Sequence, residues 1–389
     1  MKNIENTEKI LKIGDKIEIG IEDIAFGGEG VGRYNDFVIF VPFVITGERV
    51  VVEIAEIKKN FARAKLIEVL TPSPQRVAPQ CKYFGDCGGC QYQHIAYDYQ
   101  LILKKKQIKD LIQRVGGFKD LIVNDIIPCP KPYEYRNRIM VRSQWNKSLQ
   151  KLVIGFLRHD NRLVVDIDEC KIAEMEVSAE IKKVRSNPPP RGGLKVVLRK
   201  FPQDWEVPKD SFFQNNFHAL PFLVDTVKRC VNASHAKYLV DAYCGIGFFG
   251  IELSQNVEKV IGVDVDVRGI QAAKKNTEKR GITNCEFIAG QVEDIVKDIF
   301  KSIEPAKTVL IMDPPRTGVK PEGLEFIKSQ SPAQIVYISC HPATLARDLK
   351  ILCSDGQYKL MGITPVDMFP QTQHVECVAD LRHIDRTQI

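Results

Sequence analysis

After about Pro208 the sequence settles into a rhythm in which short apolar runs alternate with longer stretches of helical spacing. Lys237–Ala242, Lys259–Asp264, Cys285–Ala289, Thr308–Met312 and Ile335–Ser339 read as strands, and stretches such as Arg268–Arg280 and Pro342–Leu352 read as helices between or after them. Strands buried on both faces are near-continuously apolar, and parallel neighbours need a helical crossover. The pattern therefore points to a doubly wound α/β domain. Such folds gather ligands outside the carboxyl ends of their strands, so the residues following each strand are the ones to read for chemistry.

At 389 residues the chain has material for two or three domains. From about Lys12 to Val69 several short strands, among them Phe37–Pro42 and Phe61–Val69, surround a glycine-rich turn at Phe26–Arg33. That many strands in so short a span suggests a small OB-like barrel over 10–71, a shape that often binds single-stranded or looped nucleic acid. Tyr97–Val115 reads as an amphipathic helix with a basic face, stopped by Gly116-Gly117. The middle third is β-rich or α+β, with Arg138–Arg142 and Leu194–Leu198 as strands and the Pro-rich run 187–193 as a loop. The expected division is a barrel at 10–71, a central domain at 72–96 and 122–208, a helical segment at 97–121 packing on the last domain, and an α/β domain at 209–389.

No run of 18 apolar residues occurs and the first residues lack an apolar export segment, so a cytoplasmic chain that does not enter membranes is expected. The formal net charge of +6 is mildly basic. Local clusters say more: Lys104 to Lys106, Arg136 with Arg138 and Arg142, and Lys195 with Arg199 and Lys200. Each taken alone reads first as a solvated face.

Val240 to Gly250 closes a strand and opens a helix through Gly245 and Gly247, whose freedom lets backbone N–H groups approach a ligand. The next strand ends in Asp264, placed to accept hydrogen bonds from a ribose diol. A dehydrogenase loop looks similar, with Gly245, Gly247 and Gly250 close to its signature. Asp241 ahead of the loop argues otherwise, because a carboxylate repels a pyrophosphate and attracts an amine. Downstream, one strand runs into Asp313-Pro314-Pro315-Arg316 and the next delivers Cys340-His341-Pro342 to the same edge.

The chain has eleven cysteines and no export segment, which argues against a disulfide framework. Cys129, Cys230, Cys244, Cys285, Cys353 and Cys377 sit singly in apolar surroundings and read as small buried hydrophobes. Cys81, Cys87 and Cys90 are close together, with Cys170 alone downstream. Zinc sites usually show two short pairs, so three close ligands and a distant fourth suit a [4Fe-4S] cluster better.

Three C-terminal stretches, Asp313-Pro314-Pro315-Arg316, Ser339-Cys340-His341-Pro342 and Phe369 to Glu376, resemble the signatures of the RNA uridine-C5 methyltransferases, and Phe212 to Asn216 resembles the family's entrance motif. The first module is similar to a TRAM domain. The cysteine pattern resembles the iron–sulfur branch of that family, more like its 23S rRNA enzymes than its cluster-free tRNA enzymes. The resemblance spans nearly the whole chain and implies a Rossmann-like methyltransferase domain using S-adenosylmethionine. It implies Cys340 as nucleophile and Glu376 as base, with Phe212, Gln214 and Asp313 on the uracil. Asp241, Tyr243, Gly245, Gly247 and Asp264, together with Gln214 and Asp313, would hold the cofactor, and Cys81, Cys87, Cys90 and Cys170 the cluster. The expected partner is RNA, 23S rRNA ahead of tRNA, and the expected state is a monomer. One departure stands out. The family usually has Asn after the nucleophile where this chain has His341, so the imidazole lowers the thiol pKa as a cation, replaces the amide, or is a tolerated substitution whose side chain points away. A dehydrogenase would leave Cys340 and Glu376 without a purpose. An inert RNA-binding module would not need Cys340, Glu376, Asp313 and Gln214 intact.

Overall fold

The computed structural model describes residues 11–160 and 162–386. The chain divides into two compact units, one made of Met1–Leu103, Leu157–Leu163 and Gln371–Gln373, the other of Lys104–Phe156, Val164–Pro370 and His374–Ile389.

In the first unit, β1 (Lys16–Ile24), β2 (Glu29–Tyr34), β3 (Phe37–Pro42), β4 (Arg49–Ile57) and β5 (Phe61–Thr71) close into a barrel in the order β1-β2-β3-β5-β4. Ile19, Ile39, Val41, Val50, Val52 and Ala62 fill it, on the alternate positions that a pleated strand turns inward. In the stretch read as a glycine-rich turn, Gly27 and Gly28 take φ of 117° and 90° as expected, and the rest from Glu29 on is the strand β2. Its glycines answer to crowding: a Cβ on Gly30 would lie 2.1 Å from a Val44 methyl, and one on Gly32 2.7 Å from the Gly20 carbonyl oxygen.

Helix α1 (Tyr97–Arg114) runs from the first unit into the second. Its face is not uniformly solvated as the charge pattern suggested, because Lys104 is fully buried. The Lys104 ammonium donates to Asp367 at 2.7 Å and to the Phe369 carbonyl at 3.1 Å.

The second unit carries two sheets. One contains β6 (Arg138–Asn146), β7 (Lys151–Leu157), β8 (Val164–Asp166) and β9 (Lys195–Arg199), in the order β8-β7-β6-β9, with α2 (Met175–Ser186) between β8 and β9 in sequence. The other follows α3 (Leu220–Asn232). Its strands are β10 (Tyr238–Ala242), β11 (Lys259–Asp264), β12 (Cys285–Ala289), β13 (Thr308–Met312), β14 (Gln334–Ser339), β15 (Tyr358–Val366) and β16 (Glu376–His383). Helices α4 (Phe248–Glu252), α5 (Val267–Arg280), α6 (Val292–Ser302), α7 (Pro321–Gln330) and α8 (Pro342–Leu352) connect them. The strand order is β12-β11-β10-β13-β14-β16-β15.

The first five strands of this sheet are parallel and agree with the sequence reading to within a residue at each end. The periodicity did not reveal β15 and β16. These two add antiparallel to one another, and β16 adds antiparallel to β14 with Ser339 opposite Cys377. That reversal matters for position: β16 begins at the edge where the parallel strands end. Among the described residues no helix is long and apolar enough to cross a membrane.

Candidate active site

The carboxyl edge of the seven-stranded sheet collects the residues that the sequence singled out. Asp241 lies inside β10 and is fully buried. One of its carboxylate oxygens accepts the Gly250 N–H at 2.8 Å, and the other, also buried, has no hydrogen-bond partner. Burial raises the Asp241 pKa to about 7, and the charges of Asp313 and Asp264 push the same way. An orphaned carboxylate oxygen costs free energy unless a donor reaches it.

Asp264 ends β11 and is held by two amides: Gly245 N–H donates to it at 2.7 Å and Asp266 N–H at 2.8 Å. Gly245 and Gly247 take φ of 55° and 75°, and a Cβ on Gly247 would lie 2.6 Å from the Phe287 ring. Tyr243, also at positive φ, donates its hydroxyl to Glu293 at 3.3 Å. Asp266 caps α5 and accepts from Ser211 Oγ at 2.5 Å, which ties the Phe212–Asn216 segment to the cofactor edge.

The residues fit S-adenosylmethionine. The unpartnered Asp241 oxygen suits an ammonium, the Asp264 carboxylate suits a diol, and the loop leaves no room for a Cβ at Gly247. A pyrophosphate would meet the buried Asp241 carboxyl directly.

Next to this half lies a second group. Gln214, 6% exposed, donates through its amide to Asp313 at 3.4 Å. Asp313 follows β13, its N–H reaching the Ala242 carbonyl at 3.4 Å, and burial raises its pKa to about 7. Cys340 follows β14 and is half-buried. Burial pushes its thiol up to about 11; Glu376 and Asp313 add to this, while the charge and hydrogen bond of Arg316 oppose it. Glu376, 3% exposed, opens β16 opposite Val366 of β15. Its pKa is raised, by burial first and by Asp313 second, against Arg316. Phe212 leaves its ring exposed.

Arg316 is the functional residue that sequence reasoning passed over. It closes the Asp-Pro-Pro-Arg run, hydrogen-bonds Cys340, and lies 3.4 Å from His374 Nε2. The available signal was a cation three residues after a proline-braced carboxylate. His374 is neutral, its pKa lowered to about 3 by burial and then by Arg316. His341 caps α8, its Nδ1 accepting the Thr344 N–H at 3.3 Å. An accepting Nδ1 carries no proton, and burial and Arg316 both lower the His341 pKa. The imidazole therefore stands in for an amide acceptor and does not act as a cation beside the thiol.

The four expected cluster ligands form no disulfide and are all half-buried. Gly89 N–H donates to Cys87 Sγ at 3.5 Å, and Cys170 N–H donates to Ser178 Oγ at 2.8 Å. A sulfur that accepts an amide N–H, as Cys87 does, is chemically suited to iron. Among the described residues no group of three or more His, Cys, Asp or Glu that could hold a metal is found.

The fold and pocket are those of an S-adenosylmethionine-dependent methyltransferase. They resemble the crystal structure of Pyrococcus abyssi tRNA (uracil-54, C5)-methyltransferase with S-adenosyl-L-homocysteine, at a TM-score of 0.68 and 26% identity, covering 94% of this chain and 100% of that one. Residues 191–384 match the tRNA (Uracil-5-)-methyltransferase family and residues 11–67 the TRAM domain. An uncharacterized RNA methyltransferase of Nostoc sp. is 31% identical over 95% of this chain and 96% of its own. One from Clostridium tetani is 31% identical over 90% and 93%. The chain belongs to the tRNA (uracil-5-)-methyltransferase family of RNA methyltransferases.

Proposed function

We propose that the chain methylates C5 of a specific uridine, in 23S rRNA by preference, through a covalent bond between Cys340 and uracil C6. The observation that carries this reading is the meeting of Cys340, Glu376, Asp313 and Gln214 at one sheet edge, beside the unpartnered Asp241 oxygen. Asp241, Tyr243, Gly245, Gly247 and Asp264, with Gln214 and Asp313 at the rim, would hold S-adenosylmethionine, which supplies an electrophilic methyl group on a sulfonium.

The target base leaves its stack to enter, at a cost of a few kcal/mol. Asp313 and Gln214 hydrogen-bond its edge and Phe212 packs on its face. Cys340 loses its proton to solvent, helped by Arg316, and the thiolate adds to C6. The electron pair of the 5,6 double bond moves toward O4, and C5 becomes nucleophilic enough to take the methyl group, whose bonding pair stays on the sulfur of the departing S-adenosylhomocysteine. The Glu376 carboxylate then removes the C5 proton. The electrons of that C–H bond restore the double bond, the C6–S bond breaks, and Cys340 departs as thiolate.

The barrel combined with four cysteines supports rRNA, by likeness to that branch. The likeness to the archaeal tRNA enzyme favours a second reading, a tRNA T-loop uridine. Incubating the full chain with methyl-labelled S-adenosylmethionine and transcribed 23S rRNA or tRNA decides between them. Transfer to neither would leave an inert RNA-binding module. The Glu376→Gln variant is expected to accumulate a covalent protein–RNA adduct, because methylation proceeds and elimination stops. Release of methylated RNA at the normal rate would remove Glu376 from its role.

A [4Fe-4S] cluster on Cys81, Cys87, Cys90 and Cys170 belongs to this proposal through ligand spacing and through four cysteines that form no disulfide. No step of the reaction needs it. Iron content and colour of an anaerobic preparation decide the matter. A monomer working in the cytoplasm completes the proposal.

A further inference from the structure

The smaller sheet of the second unit has two unlike faces. Ile139 and Val141 of β6 and Leu198 of β9 are buried on the side from which α2 contributes its buried Val177 and Ile181. The alternate residues point the other way. There the register sets Arg138 opposite Arg199, Met140 opposite Val197, and Arg142 opposite Lys195. Four cations thus form two like-charge pairs across one antiparallel ladder, with an apolar rung between them.

Like charges directly opposite on a sheet destabilise it. Nothing nearby relieves them: Arg138, Arg142, Lys195 and Arg199 form no ion pair among the described residues, and the first three make no side-chain hydrogen bond there either. Arg199 donates to the Ser211 carbonyl at 2.9 Å, and its guanidinium lies 4.8 Å from the centre of the exposed Phe201 ring. Burial and the Arg138 charge both lower the Arg199 pKa from its ordinary value. Lysines on an edge strand commonly guard against strand addition. That explains cations on β9, the edge strand, but not those opposite them on β6, which is paired on both sides.

The row also has a direction. Just before β6, Asn137 N–H donates to the Asn215 carbonyl at 3.0 Å and its amide to the Gln214 carbonyl at 3.0 Å. Arg136 bridges Asn216, and its charge helps to lower the His374 pKa. The cationic ladder therefore starts at the segment that carries Gln214 and leads away from the pocket along β6 and β9.

We propose that the outward face of β6 and β9, through Arg138, Arg142, Lys195 and Arg199, is a docking surface for the RNA backbone that leads a strand to the uridine pocket. This rests on the reading of the chain as an RNA uridine methyltransferase. Phosphates neutralise the two repelling pairs, and the exposed Phe201 ring beside Arg199 offers a platform for a base. The face contributes affinity and register, not chemistry.

The test uses the full-length chain and a fluorescein-labelled single-stranded RNA of mixed sequence containing uridines, with binding read by anisotropy across a salt series. The Arg142→Gln/Lys195→Gln double variant is expected to bind about tenfold more weakly and to flatten the log K against log salt slope by about 1.4, two phosphate contacts on a single strand. A Lys182→Gln/Lys183→Gln variant, equal in charge change and on α2, is expected to bind as wild type does. Affinity for S-adenosylhomocysteine stays unchanged in both, which reports an intact fold. In the methyl-transfer assay the β6/β9 variant raises KM for RNA and leaves kcat alone. Equal weakening by the two variants would reduce the effect to bulk charge and overturn the proposal, as would unchanged RNA binding accompanied by aggregation, the mark of an edge guard. Wild-type protein that binds the RNA through this face but methylates neither rRNA nor tRNA would overturn the enzymatic reading and leave the surface standing.

Discussion

The two halves of the pocket are built on opposite electrostatic principles. The cofactor half contains carboxylates fixed by amides, with one buried oxygen of Asp241 left over. The reacting half contains three acids, Asp313, Cys340 and Glu376, whose pKa values burial raises; Asp313 adds to this at Glu376, both carboxylates add to it at Cys340, and Arg316 opposes it at Cys340 and Glu376. The first half is unfinished until a cation arrives. The second holds Cys340 as a thiol at neutral pH, because burial pushes it up to about 11.

The sharpest separation of the halves is Cys340→Ala. Transfer should fall to background, while S-adenosylmethionine affinity measured by calorimetry stays within about twofold of wild type. Loss of cofactor binding in this variant would mean that the halves are one structural unit.

Arg316→Gln tests the opposing cation. Without it Cys340 and Glu376 lose the group that lowers their pKa values, so the rate should drop by about 10² to 10³. The pH profile carries the sign. In the proposed mechanism the active form needs Cys340 and Glu376 deprotonated, and both pKa values are raised, so wild-type kcat/KM should climb from below neutral into the alkaline range. The variant's rise should lie at still higher pH. A profile with unchanged shape would remove Arg316 from the ionisation of the thiol.

Asp241→Asn tests the other half. The folded Asp241 pKa of about 7 exceeds the ordinary 3.8, so the buried group is best tolerated below 3.8 and costs progressively more as pH rises toward 7. The ligand-free variant should therefore melt higher than wild type at pH 8, by up to a few kcal/mol, and the gap should close as pH falls toward 4. Its cofactor affinity should fall about tenfold to a hundredfold with the loss of the charge. A pH-independent gap would place the cost elsewhere than in this carboxyl.

The same contrast explains what could be read from the chain. The cofactor half was legible residue by residue, because Asp241, the glycine loop and Asp264 lie on two successive strands whose apolar runs mark their own ends. The five parallel strands were legible for the same reason. The reacting half is drawn from the segment at Gln214, the ends of β13 and β14, and the start of an antiparallel strand. Short-range periodicity does not report β16 or its register with β14, so Glu376 entered only through motif resemblance. Lys104 shows the reverse limit: a lysine within a basic run is buried because Asp367, far along the chain, neutralises it. Arg316 was in plain view, but its role depends on where a thiol and a glutamate come to rest.

His341 is where the smallest effect should be found. A cation beside Cys340 would belong with the reacting half, and a cap would belong with the scaffold. The Nδ1 hydrogen bond to Thr344 N–H assigns it to the scaffold, since a protonated Nδ1 could not accept. His341→Asn supplies an amide oxygen that caps equally well, so kcat/KM and its pH profile should stay within about twofold of wild type. His341→Ala leaves the first turn of α8 uncapped, at about 1 kcal/mol, and should loosen the turn that presents Cys340 enough for a fewfold loss in rate. If Asn and Ala proved equally damaging and both moved the pH profile, the imidazole would be part of the chemistry and the division between scaffold and reacting half would have to be redrawn at Cys340 itself.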